Sequence, residues 1–308
     1  MTRISTNGAW DSALLNLMNA QQAQETAQIQ VSTGKIATDL GGFGQGAQTL
    51  TAFVAAKART QGYIDAAQTV SNRLSVQDTA FGEISDAGQS ARQAITNAIA
   101  TGSGTTLMTA LQQNFQQAVD GLNTQSGGEY VFGGGRTGQP PTTATTMSGL
   151  PGAPSVASLF QNGQLKSAVR LDDSTTVETG FLASDVGGPL FQVFQSIQAY
   201  ANANGPFGAT LTSAQQTFLT QQMAAFDQAN GQITQYAAQN GEITQRVQSH
   251  ITAQQAQVQS LTQLIGKQTD VDMATALSKL SQSQQAVQAS AQILAGLKSD
   301  TLLNILTP

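Results

Sequence analysis

One histidine, no cysteine and eighteen carboxylates across 308 residues leave little to do chemistry with. His250 lies beside the apolar positions Val247 and Ile251 and reads as a solvated residue flanking a packed face. A lone histidine cannot build a histidine-based metal site. Absent cysteine removes thiolate ligands, disulfides and thiol nucleophiles together. No Gly-x-Ser-x-Gly elbow accompanies the serines, so a Ser-His-Asp reading has ingredients but no frame. Three glycine-bearing stretches could cradle a phosphate: "GGFGQG" (41–46), "TGK" (33–35) and "GKQT" (266–269). The first follows no strand pattern, and the others lack the upstream glycine of a P-loop, so all three read as turns. Asp172 and Asp173, in "RLDDSTT", fit a polar hairpin turn better than an acid–base pair. Asp270 and Asp272 precede a helical pattern and suit its N-terminal end. Trp10 and the scattered Phe residues read as packing. The expectation is a non-enzyme with no cofactor and no metal.

The surface argues similarly. The formal charge is −5 and only 10% of residues are charged, against about 25% in ordinary soluble proteins. Gln, Thr, Ser and Asn carry the polar load, so like copies repel each other little and can pack closely. A pI near 4.7 without a basic stripe argues against a nucleic-acid partner. The N-terminal stretch lacks the apolar core of a cleaved signal peptide. No run approaches the ~18 apolar residues of a membrane span, so no membrane partner is expected. On these signals alone the chain reads as cytoplasmic.

Proline marks three zones. All seven prolines stand at 140, 141, 151, 154, 189, 206 and 308, leaving 1–139 and 207–307 free of them. Proline costs about 3 kcal/mol inside a helix, so both blocks are open to long helices. The middle holds Thr- and Val-bearing stretches that read as short strands and turns. The fold class is therefore mainly α with a small β-rich insert.

In the first block a helix is expected over 10–40, with Leu14, Leu17, Ala20, Ala27 and Val31 near one side. Helical spacing resumes from Leu50 to Ile99, breaks at "TGSGTT" (101–106), and restarts with Thr105 or Thr106 as N-cap. Two amphipathic helices across so short a break predict an antiparallel hairpin. In the second block, positions from Leu219 through Phe226, Asn230, Ile233, Asn240, Val247, Ile251 and Val258 to Ile265 follow alternating steps of four and three. That is a heptad seam with polar interruptions able to fix register. It stutters near "GKQTDVD" and restarts through Met273, Leu277, Leu280, Gln284, Val287, Ala291 and Leu294. Neither end is stable as an isolated helix. Pairing the first helix with the last brings the chain ends together and sends the insert to the far end. Leu302, Leu303, Ile305 and Leu306 are too closely spaced for one stripe. Either another subunit or the protein's own bundle must cover them, and periodicity does not choose.

"MTRIST" at the start, "QIQVSTGKIATDL" (28–40), "GGEYVFGGG" (127–135) and "TDVDMATALSKLSQSQQAVQASAQILAGLKSDTLLNIL" (269–306) resemble the bacterial flagellin superfamily over nearly the whole chain. "GEYVFGGG" and the hairpin-into-helix stretch "SAVRLDDSTTVETGFLASDVGGPLFQVFQSIQAY" (167–200) resemble, within it, the hook–filament junction family, the third hook-associated proteins. Two departures stand out: Lys35 is followed by Ile36 and Ala37 where a basic residue is usual, and 41–50 is unusually glycine-rich. The resemblance implies paired terminal helices forming a coiled coil, here 1–45 with 267–308. It also implies an antiparallel helical rod, 46–128 with 200–266, carrying an outer β-rich insert, 129–199. The implied function is a structural adaptor that self-assembles into a layer joining hook-associated proteins to the filament. Flagellin itself is the alternative, and a cytoplasmic coiled-coil binding module a distant one. The implied assembly interface comprises Leu14, Leu17, Val31, Leu277, Leu280, Val287, Leu294, Leu302, Leu303 and Ile305. The implied partners are copies of itself, flagellin, the hook-side hook-associated protein and an export chaperone. Type III export without a cleaved leader would move the expected location from cytoplasm to the extracellular flagellum.

Overall fold

The computed structural model describes the backbone of residues 2–306 and the side chains of residues 8–297. Among these, long helices dominate: α1 (Thr2–Thr33), α2 (Gly46–Thr101), α3 (Leu107–Leu122), α4 (Ala183–Asn204), α5 (Ser213–Thr269) and α6 (Met273–Leu306). Four very short strands form two antiparallel pairs, β1 (Gln125–Ser126) with β2 (Glu129–Tyr130) and β3 (Ala168–Arg170) with β4 (Thr176–Glu178). The chain divides into two compact units, a central one, Thr60–Ala256, and a terminal one, Met1–Arg59 with Gln257–Pro308.

The central unit is closed around one apolar core. Phe81, Phe115, Phe132, Phe191, Phe194 and Phe226 are its largest fully buried side chains. Their rings meet edge-on or tilted: Phe81 on Phe132 and Phe181 at 5.2 Å, Phe194 on Phe226 at 5.2 Å. Such geometry sets the positive ring edge against the negative face. The expected α2–α3 hairpin is present, with α3 returning along α2 so closely that a Cβ on Gly121 would stand 2.7 Å from Ile84. Thr106 occupies the N-cap of α3, yet its side chain makes no capping bond. The Leu107 amide instead donates to the Gly104 carbonyl at 3.1 Å, closing the turn through backbone.

Along α5 the heptad reading holds residue by residue. Leu219, Phe226, Asn230, Ile233, Asn240, Val247 and Ile251 are buried, and the intervening seam positions are half-buried. Asn240, 1% exposed, donates through Nδ2 to the Leu74 carbonyl of α2 at 2.9 Å. Arg92 of α2 pairs with Asp227 of α5 at 2.7 Å. The insert has less regular strand than its composition promised, because glycines, prolines and 3₁₀ turns at Met147–Gly152 and Val156–Leu159 interrupt it. Val131, Phe132, Met147, Leu150 and Phe181 enter the same core as the helices.

In the terminal unit α1 packs along α6. The seam runs through Trp10, Ala13, Leu17, Ala20, Gln24, Ala27 and Val31 on α1. On α6 it runs through Ala276, Leu280, Ser283, Val287, Ser290, Leu294 and Leu297. The expected heptad restart at Met273 and Leu277 lies off this seam by one position, and so does Leu14, which had been grouped with Leu17 and Val31 on one side of α1. Leu14, Met273 and Leu277 are 45%, 44% and 52% exposed, and Gln284 and Ala291 also face outward. Small residues occupy every second position of most of the seam, alternating with half-buried Leu17, Leu280, Val287 and Leu294.

Helix α1 also stops earlier than expected, at Thr33 rather than near 40. Gly34 turns the chain at φ +68°, a conformation costly for any residue with a Cβ. Backbone bonds then tie it to the far end of the sequence, Ile36 N–H to the Thr269 carbonyl at 2.7 Å and Val271 N–H to the Gly34 carbonyl at 2.9 Å. "GKQT", read as a turn, is the last turn of α5.

Candidate functional site

The chemistry-bearing residues fall into three separate places. In the β3–β4 turn, Asp172 Oδ1 accepts from the Ser174 and Thr175 amides at 2.7 Å each and from Ser174 Oγ at 2.9 Å. The Ser174 amide and hydroxyl hold this carboxyl down at about 2. Its other oxygen stands 3.7 Å from His250 Nδ1, so the histidine is not merely solvated as expected but faces the turn. Tyr63 Oη donates to Asp173 at 2.7 Å, fastening the same turn to α2. Both aspartates are acceptors fully engaged in local structure, as the turn reading required. His250 and Tyr63 are the titratable groups that meet them, and both contacts fasten the turn.

A second place is the point where "GGEYVFGGG" meets α2. The Val131 carbonyl accepts from Arg73 Nη2 at 3.1 Å and from Gln77 Nε2 at 3.2 Å. Gln77 is fully buried, and burial lowers the Arg73 pKa against the opposing pull of Glu129. This node positions the first residues of the insert on the helices. It was not foreseen, since neither residue interrupts an obvious pattern.

The third place joins the chain's two distant ends. Lys35 Nζ bonds Asp270 Oδ1 at 2.5 Å and Thr269 Oγ1 at 3.2 Å. Gln268 Nε2 reaches the Gly46 carbonyl at 2.8 Å, and Gln30 Nε2 the Ile36 carbonyl at 2.9 Å. The Lys35 bond, then that from Thr269, pulls the Asp270 carboxyl below the usual carboxylate range. The two acidic residues expected at the start of α6 thus divide their roles. Asp272 caps the helix, accepting from the Ala274 amide at 2.9 Å, while Asp270 clasps Lys35. Beside the clasp lies a groove of about 640 Å³ whose large apolar residues are Leu40, Phe43, Leu50, Val54 and Ile265, with Thr33, Thr38, Thr51 and Thr269 between them.

Among the described residues no group of three His, Cys, Asp or Glu could hold a metal. No described helix is long and apolar enough to cross a membrane. The feature that sets the surface apart is apolar. Twelve large apolar side chains are exposed among the described residues, and eleven of them belong to the terminal unit; Leu165 is the exception. Of the expected interface residues, Leu14 and Leu277 are among these. Leu17, Val31, Leu280, Val287 and Leu294 sit half-buried in the α1–α6 seam. The side chains of Leu302, Leu303 and Ile305 lie outside the described residues. Sequence reasoning missed Leu15, Met18, Ile293, Leu40 and Val54. The signal available for them was a surplus of large aliphatics beyond what a two-helix seam can seat.

Residues 4–137 match the bacterial flagellin N-terminal helical region, and residues 223–306 match the bacterial flagellin C-terminal helical region, together well over half of the chain. No curated protein sequence matches. Two solved structures share the fold. A protein from Vibrio parahaemolyticus described as flagellar hook-associated aligns at 15% identity with a TM-score of 0.61, over 73% of this chain and 97% of its own. Bacillus cereus FlgL aligns at 16% identity with a TM-score of 0.53, over 70% of this chain and 97% of its own.

Proposed function

We propose, from the premise that this chain belongs to the bacterial flagellin family and is a structural protein of the flagellum, that it is the adaptor joining hook to filament. It self-assembles into a junction layer between the hook-side hook-associated protein and flagellin. The observation that carries this reading is the uneven burial: a central unit closed on its own core, and a terminal unit that leaves eleven large apolar side chains in water. Covering one such side chain is worth about 1.5–3 kcal/mol, so a row of them drives association wherever complementary copies meet. With 10% charged residues there is little repulsion between neighbours to overcome.

In this proposal 1–45 with 267–308 supplies the contact between copies, through Leu14 and Leu277 on the outer row and Leu302, Leu303 and Ile305 near the end. Leu17, Val31, Leu280, Val287 and Leu294 hold the two terminal helices together to present that row. The helical stretches 46–128 and 200–266 pack beside those of neighbours, and 129–199 faces outward. The chain leaves the cell unfolded through the flagellar export route, escorted by a chaperone, and acts outside. No cofactor, nucleic acid or membrane takes part.

A clean deletion strain tests this. Electron microscopy should show hooks without filaments, and the medium should contain unassembled flagellin, which is exported but finds no layer to polymerise on. Shortened or thinned filaments on ordinary hooks would instead make this chain one filament subunit among several and end the junction reading.

A further inference from the structure

Seven residues after α1 ends, Leu40 begins to roof a groove that the terminal unit does not fill. Its walls are Leu40, Phe43, Leu50, Val54 and Ile265, with Leu40 56% and Val54 49% exposed. Lys35 is the one charged residue in its lining, and that charge is committed to Asp270. The rest of the lining, Thr33, Thr38, Thr51 and Thr269 included, is uncharged, and the Ile36–Thr269 and Gly34–Val271 backbone bonds hold the mainly apolar groove in shape. An apolar groove of this size admits a helix end carrying aliphatic side chains and rejects one carrying charge.

The chain contains such an end. "TLLNIL" (301–306) bears four large aliphatics in six residues and no charge. It closes α6, which runs without a break from Met273 to Leu306. At 1.5 Å per residue, Leu302 stands about 44 Å along the helix axis from Met273. The groove flanks the other end of the same helix, since Ile265 and Thr269 line it. A continuous helix cannot bend back over that distance, so the segment cannot enter its own groove.

We propose that the groove formed by Leu40, Phe43, Leu50, Val54 and Ile265 receives Thr301–Leu306 of a second copy. This deepens the junction-layer reading and rests on it. The contact is heterologous, because two different surfaces meet. Repetition therefore extends a layer or closes a ring rather than stopping at a dimer. Successive copies are displaced along the α6 axis by about the 44 Å separating the groove from the segment.

Absence of native cysteine makes the test direct. Val54→Cys and Leu303→Cys chains, each otherwise complete, are mixed, concentrated with ammonium sulfate until polymer sediments, and oxidised. A disulfide needs Cα atoms within about 7 Å, so a bond reports the docked pair. The expected result is a mixed dimer band at least tenfold stronger than either variant yields alone, and absent before sedimentation. Leu40→Cys with Ile305→Cys serves as a second pair should one cysteine disturb the contact. Polymer that forms yet gives a mixed band from neither pair overturns the proposal while leaving self-assembly intact. Val54→Cys dimerising with itself instead overturns it in favour of an isologous contact. Failure of the unsubstituted chain to sediment, alone or on hook-associated protein ends, overturns the self-assembly reading and this inference with it.

Discussion

Asp270 shows how a single side chain can serve a use other than the one its position advertises. Standing just before a helix it should cap; in fact Asp272 caps, and Asp270 bonds Lys35 from 235 residues away. Its pKa is lowered by that bond, so the clasp contributes stability above the ordinary carboxylate value of about 4. The contribution is lost as pH falls through the lower folded value. Asp270→Asn should therefore unfold the terminal unit at lower temperature than the unsubstituted chain at pH 7, and the gap should close at acid pH once the Asp270 carboxyl is protonated. Thermal melts followed by circular dichroism across pH 2–7 would read it; a gap that persists at pH 2 would mean the loss is one of packing rather than charge. The exposed setting of both partners makes the effect modest and reducible by salt. Neither the clasp nor the Arg73–Gln77 grip on Val131 was legible beforehand, because each joins residues far apart in sequence through ordinary polar types.

The helices were more legible, and unevenly so. Helix α5 follows its heptad from Leu219 to Ile265 because there the large residues are the buried ones, as pattern reading assumes. In α6 that assumption fails by one position. Ala276, Ser283 and Ser290 take the inside, and Met273 and Leu277 are displaced to the outside. The start of α6 was placed correctly, since Asp272 caps locally; the end of α1 was not, since Gly34 is fixed by distant backbone partners. The same reversal makes a prediction about α6. Leu277→Asp should leave the monomer's helicity and melting temperature within about 0.5 kcal/mol of the original, because the side chain already meets water. Sedimentation under assembling conditions should fall at least tenfold, because a buried charge would face apolar neighbours. Normal assembly of that variant would remove the outer row of α6 from the interface.

At the scale of the whole molecule the two units differ in how they are held. The central one has fully buried aromatics and a continuous core; in the terminal one few side chains are fully buried, among them Ala27, Leu50 and Ala276. Limited proteolysis of dilute monomer should clear α1 and α6 first and leave a helical fragment close to Thr60–Ala256, which mass spectrometry would identify. Assembly should reverse this by covering the terminal helices, so polymer resists at the same enzyme ratio. Cleavage within the insert before either terminal helix would contradict the shared core described for it. Fold class was readable from the proline map alone, whereas the sharing of one core by insert and helices was not, since no local pattern distinguishes an outer strand from one roofing a helix bundle.

The bonds that close each unit reach unusually far along the chain. Asn240 meets Leu74 across 166 residues, and Lys35 meets Asp270 across 235. Leading segments shorter than about 240 residues cannot complete the central core, because Phe226, Ile233 and Asn240 have yet to arrive. Long-range contacts return their free energy only after a large loop has closed, which makes such chains slow to fold from one end. Anything that threads this protein from its first residue, a ribosome or a narrow conduit, handles a chain whose central core still lacks most of its α5 contacts for roughly three quarters of its length. Closure of that core becomes an event of the last stretch, when the second long helix arrives.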